Sequence, residues 1–370
     1  MRTWNCKCGA ELFFHNTRCV ACGREVGLCE ACRQLHSADV IDQPSSYGPA
    51  QTILQCPEHA DARLVRCRLG LDHALCNRFT LADVGNANPS SRSGACTWCQ
   101  LTTDMPPLSD ALTQQKVRRL EAAKRRVLYI VDQIGLPVLA MPGELPLSFR
   151  FLGSEDADEP IMTGHGNGVI TINIREADSV HREATRVEFG EPHRTLVGHL
   201  RHELGHYYWQ RMVQPKPDRL TRYRELFGDE RDPSYVDAIK AYYDRGHVGH
   251  WQSHFVSQYA TMHSWEDFAE SFNAYLDLRT VLATAAHFIH RGSIRRRGRI
   301  SPDASNTITP EDPFERMIAD YARVGIVANE FNRDLGLLDL VPEVFTTAVV
   351  EKLRFIHQLC NPAAATPVLG

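Results

Sequence analysis

Eleven of the twelve cysteines fall before residue 100, most of them in C-x-C or C-x-x-C pairs, and this distribution decides how that part of the chain can fold. A segment so short buries too little apolar surface to hold itself together, so metal binding has to supply the folding energy. Such pairs in a reducing compartment read as thiolate zinc ligands rather than disulfides. Cys6, Cys8, Cys19 and Cys22 flank the short stretch Glu11 to Asn16 and suit one tetrahedral site. Cys67, Cys76, Cys96 and Cys99 make a second set of four. Cys29, Cys32 and Cys56 remain. Because the spacing from Cys56 to His59 mirrors that from Cys29 to Cys32, His59 is expected to complete a third, Cys₃His site, with His36 as the competing fourth ligand.

The remainder has the material for a sizeable core, the whole chain being 370 residues with 43% hydrophobic and 23% charged residues. Asp104 to Ser109 reads as the boundary between a cysteine-rich module, 1–105, and a larger domain, 106–370. Ten Lys and Arg face ten Asp and Glu in residues 1–105, and the chain carries a net charge of -4. A nucleic-acid footprint needs a basic excess, so the module is expected to stabilise the fold or dock a protein partner. No apolar run reaches membrane-span length and the start lacks a signal-peptide stretch, which points to a cytoplasmic protein with no membrane association.

The strongest chemical motif is His202-Glu203-Leu204-Gly205-His206, the pattern H-E-x-x-H. On a helix, residues four apart share a face, so both imidazoles converge on one ion while Glu203 projects toward a metal-bound water. Zinc lowers the pKa of such a water to roughly 7, and a nearby carboxylate can take its proton during attack on a carbonyl. Thr195 can cap the helix, and Leu196, Val197, Leu200 and Leu204 give it an apolar stripe.

A third protein ligand is required. In the stretch from Ser264 to Leu276, the residues Trp265, Phe268, Ala269, Phe272 and Leu276 keep a helical period, with Glu266 and Glu270 stacked four apart. Two acids on a buried-looking helix are costly without a nearby positive charge. Glu266 is therefore assigned as the third ligand, and Glu270 as the acceptor for the free ring N–H of a liganding histidine, His202 first.

Read together, H-E-L-G-H and E-D-F-A-E resemble the gluzincin metallopeptidases, and Tyr259 to Glu270 is similar to the matching segment of lethal-factor-type peptidase domains. That resemblance implies that Tyr259 faces the zinc and steadies the oxyanion of the tetrahedral intermediate. Nearly end to end, the chain resembles a bacterial family of zinc-binding metallopeptidases with an N-terminal zinc ribbon. The residues that carry this likeness are the two outer cysteine sets, Leu120 to Arg126, Gly168 to Ile174, Gly190 to Thr195, Leu200 to Trp209 and Val349 to His357. It implies an α+β, zincin-like domain, mainly helical with a small sheet, behind a zinc-ribbon module. The implied activity is zinc-dependent hydrolysis of peptide bonds, with one catalytic and two to three structural zinc ions. The competing readings are a zinc-organised interaction protein with an inactive centre, and an amidase acting on a non-protein amide.

Several other segments carry expectations. Leu112 to Ile134 reads as a long helix whose Lys and Arg form a solvated face. Gly168 to Ile174 alternates as a half-buried strand and is the candidate platform for an extended peptide. Gln214 to Gln258 is expected to wall one side of the cleft, Asn88 to Ser93 to be a loop, and Ile289 to Arg299 to be a mobile basic run. Phe314 to Leu335 and Thr346 to Leu359 read as packing helices, and His165, His193, His199 and His263 as polar-network histidines.

Overall fold

A computed structural model of the chain describes residues 2–41, 52–82, 94–153, 161–188, 195–245, 249–295, 313–342 and 344–361. The loop expected at 88–93, the Gly190 to His193 stretch and the end of the basic run at 296–299 lie outside them. The fold mixes helices with small sheets in two compact units: Met1–Leu128, Ser148–Thr163 and Thr171–Arg182 form one, and Tyr129–Leu147, Gly164–Ile170 and Glu183–Gly370 the other. Residues 106–128, which the sequence reading groups with the larger domain, thus pack in the first unit. Among the described residues no helix is long and apolar enough to cross a membrane.

The first unit opens with a two-stranded ribbon, β1 (Trp4–Asn5) and β2 (Glu11–Leu12). A six-stranded sheet follows, built from β3 (Val26–Cys29), β4 (Leu35–Ser37), β5 (Asp39–Ile41), β6 (Ile53–Gln55), β7 (Arg63–Arg66) and β8 (Arg78–Leu81). A short helix, α1 (Arg68–His73), lies between the last two strands. The order is β4-β3-β8-β7-β6-β5, and β3 runs parallel to β8 in the register Leu28↔Arg78. Gly27 permits that pairing, since a Cβ there would sit 2.7 Å from the Asn77 carbonyl oxygen. Phe79, Leu54, Leu64 and Ala38 pack with the thiols of Cys29 and Cys56 as the core of the sheet.

After α2 (Thr97–Gln100) come β9 (Thr102–Asp104), the long helix α3 (Ala111–Gln133) and β10 (Ser148–Leu152), which pairs parallel with β9. The helix departs from the solvated face expected of its charges. Glu121 and Lys124 are fully buried as an ion pair 2.8 Å apart, and the Thr102 hydroxyl donates to the same Glu121 oxygen at 2.6 Å. Arg125, also buried, donates to the carbonyl of Leu75. Charge can enter the interior here because each side chain finds at least one partner there, although Glu121 Oε2 and Arg125 Nε have none.

β11 (Gly164–Gly166) and β12 (Val169–Asn173) complete a second sheet in the order β11-β12-β10-β9. β12 shows the expected alternation, with Ile170 and Ile172 buried, but it is an inner strand. β11 and β9 are the sheet's edge strands among the described residues, and β12 has no free edge for an extended peptide.

α4 (Ser179–Glu188) precedes α5 (Leu196–Tyr208) of the second unit, which a π-helical turn, Trp209–Val213, continues. Then follow α6 (Pro217–Phe227), α7 (Tyr235–Arg245), α8 (Ser264–Arg295), α9 (Pro313–Asp334) and α10 (Thr347–Cys360). α5 crosses α8 at Gly205, where a Cβ would stand 2.7 Å from the Ala269 Cα. α10 braces α8 from another side. Buried Lys352 donates to Asp267 at 2.6 Å and to the His254 carbonyl at 2.7 Å, with its ammonium 4.3 Å from the Phe255 ring centroid. Tyr223, Phe227 and Phe268 fill the space between these helices with ring centroids 5.2 to 6.0 Å apart.

Candidate metal centres

Three cysteine clusters lie in the first unit, and within each the donor atoms fall within 4.8 Å of one another. In a zinc tetrahedron with metal–sulfur bonds of about 2.3 Å, sulfur atoms stand roughly 3.8 Å apart, against about 2.05 Å in a disulfide. The first cluster has Sγ separations of 3.6 Å for Cys6 and Cys22 and 3.7 Å for Cys8 and Cys19. In the second, Cys76 and Cys96 are 3.8 Å apart, with Cys67 and Cys99 beside them and all four buried. All twelve cysteines are free, so these separations fit zinc and not a covalent bond. The chain turns sharply after the second thiol of a pair. Gly9 and Gly23 adopt φ of 87° and 73°, and each donates its N–H to the carbonyl of the pair's first cysteine at 2.8 Å.

The third cluster repeats that turn at Cys29 and Cys32, with Arg33 at φ 58° donating to the Cys29 carbonyl at 2.9 Å. Its fourth donor is His36, whose Nε2 lies 3.8 Å from the Cys56 Sγ, while Cys29 and Cys56 are 3.8 Å apart. His59, expected at this position, is exposed in the turn after β6 and stands apart from the cluster. Strand pairing explains the difference. β4 pairs antiparallel with β3 in the register Gly27↔His36, which brings His36 to the strand that carries Cys29. Local symmetry of spacing, the basis for choosing His59, has no access to that pairing.

The fourth cluster is His202, His206 and Glu266 in the second unit, all buried. Thr195 caps α5 by accepting the Gly198 N–H at 2.9 Å, so the helix starts where its unpaired amides require it. His202 and His206, four apart on this helix, have Nε2 atoms 3.1 Å apart. Across the Gly205 crossing, Glu266 in the first turn of α8 places Oε2 2.9 Å from His202 Nε2 and Oε1 3.4 Å from His206 Nε2. For zinc bonds of 2.0–2.2 Å, the edges of a tetrahedron measure about 3.3 Å, so the three donors fit one ion. Burial alone would raise the Glu266 carboxyl, but the facing His206 and His202 hold it well below the usual range.

Glu270, one turn further along α8, accepts from His202 Nδ1 at 2.6 Å. With one proton kept on Nδ1 by Glu270, His202 would offer Nε2 to a metal ion once the Nε2 proton is released. Glu203 Oε2 is buried with no hydrogen-bond partner, as is His206 Nδ1. A buried carboxylate oxygen with no protein donor, on the helix that carries both histidines, suits a group that handles the proton of a water. Tyr259, in a short 3₁₀ turn before α8, has its ring centroid 5.9 Å from that of His202. Burial, then the nearby Glu266, keeps its phenol protonated to well above the ordinary range.

One contributor carried no expectation from the sequence, and a second was expected only as a polar-network histidine. Tyr235, the first residue of α7, donates its hydroxyl to Glu266 Oε1 at 2.9 Å. His165 on β11 lies beside His206, the ring centroids 6.4 Å apart, and its Nε2 accepts the Gly168 N–H at 3.1 Å. That bond puts the His165 proton on Nδ1. Burial, with His206 adding to it, lowers its pKa to about 4, so the ring is neutral. β11 itself lies against α5. A tyrosine 31 residues from Glu266 and a lone histidine on a three-residue strand carry no local spacing signal. His263 accepts the Trp265 N–H on Nδ1 at 3.1 Å and serves the start of α8, as expected of a polar-network histidine.

A zinc-ribbon module followed by a buried two-histidine, one-glutamate cluster is the layout of one protein class. Residues 3–110 match a zinc-ribbon domain family, and residues 113–359 match the family described as "Putative zinc-binding metallo-peptidase", to which the chain belongs. Similar proteins described as uncharacterized occur in Mycobacterium tuberculosis and Mycobacterium bovis. Each is 36% identical over 370 residues, covering 98% of this chain and 96% of the relative. No solved structure matches the chain.

Proposed function

We propose that this protein is a zinc metallopeptidase of the gluzincin type, with a zincin-like domain in which His202, His206 and Glu266 hold the catalytic ion. The observation that carries the reading is the convergence of these three buried donors, with Glu203 on the same helix between the two histidines holding a buried carboxylate oxygen that has no hydrogen-bond partner. Bound there, zinc would acidify a water and polarise the scissile carbonyl. Glu203 takes the proton of the attacking water and returns it to the leaving amine, the two transfers peptide hydrolysis requires. Tyr259 donates its O–H to the developing oxyanion. Glu270 fixes the ring and tautomer of His202. The free edge of β11 offers backbone groups to an extended peptide beside α5, which favours a polypeptide substrate over a small amide.

The three cysteine clusters would hold structural zinc, bringing the total to four ions per chain. The neutral balance of residues 1–105 supports a protein partner over nucleic acid for that module. Twelve free cysteines suit a reducing compartment, and we place the protein in the cytoplasm. Glu203→Gln tests the reading. In a peptide-library assay the zinc-loaded parent cleaves, while the variant keeps its zinc and loses cleavage by several orders of magnitude. Cleavage undiminished in Glu203→Gln would refute it.

A further inference from the structure

The two oxygens of Glu266 have different environments. Oε1 accepts the Tyr235 hydroxyl at 2.9 Å. Oε2 is buried, has no hydrogen-bond partner, and lies 2.9 Å from His202 Nε2. Tyr235 is fixed for this contact. Its ring stands edge-on to Trp265 and His263, with centroids 5.7 and 5.4 Å away. Tyr235 belongs to the segment between the two ligand helices, so one residue of that segment reaches the donor set itself.

A hydrolytic zinc site has three protein ligands and an open position for water, and a glutamate that binds through both oxygens adds a fifth ligand atom that crowds that position. Resting on the reading that Glu266 is a ligand, we infer that Tyr235 is a positioning residue that keeps Glu266 a one-oxygen ligand. Its hydroxyl occupies Oε1, leaves Oε2 for the ion and so preserves the water's place. Without that hydroxyl, Oε1 becomes a buried, unpaired acceptor, and its nearest remedy is the metal.

The test uses the full-length protein with its thiolate sites kept in zinc and the most weakly held equivalent exchanged for cobalt(II). Tyr235→Phe retains the ring and its packing. Zinc affinity at that equivalent is expected to fall 10–100-fold, the usual cost of losing a partner to a metal ligand. The visible cobalt bands are expected to weaken as four-coordinate geometry gives way to five. Unchanged affinity with an unchanged spectrum overturns the inference. So does weakened affinity with an unchanged spectrum, since general loosening alone would give that. Glu266→Ala run alongside separates the two levels: if it too keeps the equivalent at parental affinity, Glu266 is no ligand and the underlying reading fails.

Discussion

Gly205→Ala perturbs the joint on which the candidate centre is built. The added Cβ would stand 2.7 Å from Ala269 Cα, 3.1 Å from Ala269 O and 3.2 Å from Ala269 Cβ. Carbon atoms in comfortable contact lie about 3.5–4.0 Å apart, so α5 and α8 must separate locally by roughly 1 Å. Overpacking of this kind costs about 1–3 kcal/mol, while replacing glycine by alanine inside a helix returns about 0.5–1 kcal/mol. The net destabilisation is therefore only about 0–2.5 kcal/mol, and the chain stays folded. The metal site fares worse. His206 adjoins Gly205, Glu270 adjoins Ala269 and Glu266 lies one turn before it, whereas zinc tolerates only about 0.2 Å of error in its bonds. Competition with a chromogenic chelator should show the weakest-held zinc equivalent lost at concentrations that saturate the parent, alongside a circular dichroism melt close to the parent's. Parental zinc affinity in Gly205→Ala would refute the claim that close helix crossing sets the ligand geometry.

Two further outcomes follow from the geometry. His36→Ala should lower the zinc count by one while His59→Ala leaves it unchanged, as native mass spectrometry can read; the reverse pattern would contradict the third cluster. Burial works to lower the pKa of His202, but its bonds to Glu266 and Glu270 prevail and raise it well above the ordinary histidine value. In the metal-free chain this folded-state pKa exceeds the unfolded one, so the stabilisation it brings is present below about pH 6.5 and lost as pH rises through the raised value. Zinc needs the Nε2 lone pair, so binding at pH 7 should release a proton. Calorimetric titrations in buffers of different ionisation enthalpy measure that release, and none observed would contradict the His202 arrangement.

The parts of the centre legible in sequence are those set by helical period. His202 and His206 share a face because α5 forms, and Glu266 and Glu270 were identifiable as a second stacked pair whose burial calls for positive charge. The cysteine sets were legible for a similar reason, since a knuckle is a local turn. Features that depend on strand pairing were not. His36, only the competing ligand on spacing, reaches Cys56 through the β3–β4 register, and β12 is an inner strand between β11 and β10. The same holds for Glu121 and Lys124, whose charges read as solvent-facing until the Thr102 partner on β9 is known. Tyr235 was invisible because its role depends on where α7 lies relative to α8.

Counting zinc in the intact chain tests the central claim most directly. The account predicts four ions in the parent protein and three in His206→Ala, the missing one being the most weakly held. Three ions in both would mean that His202, His206 and Glu266 hold no metal, and the metallopeptidase reading would fall with them.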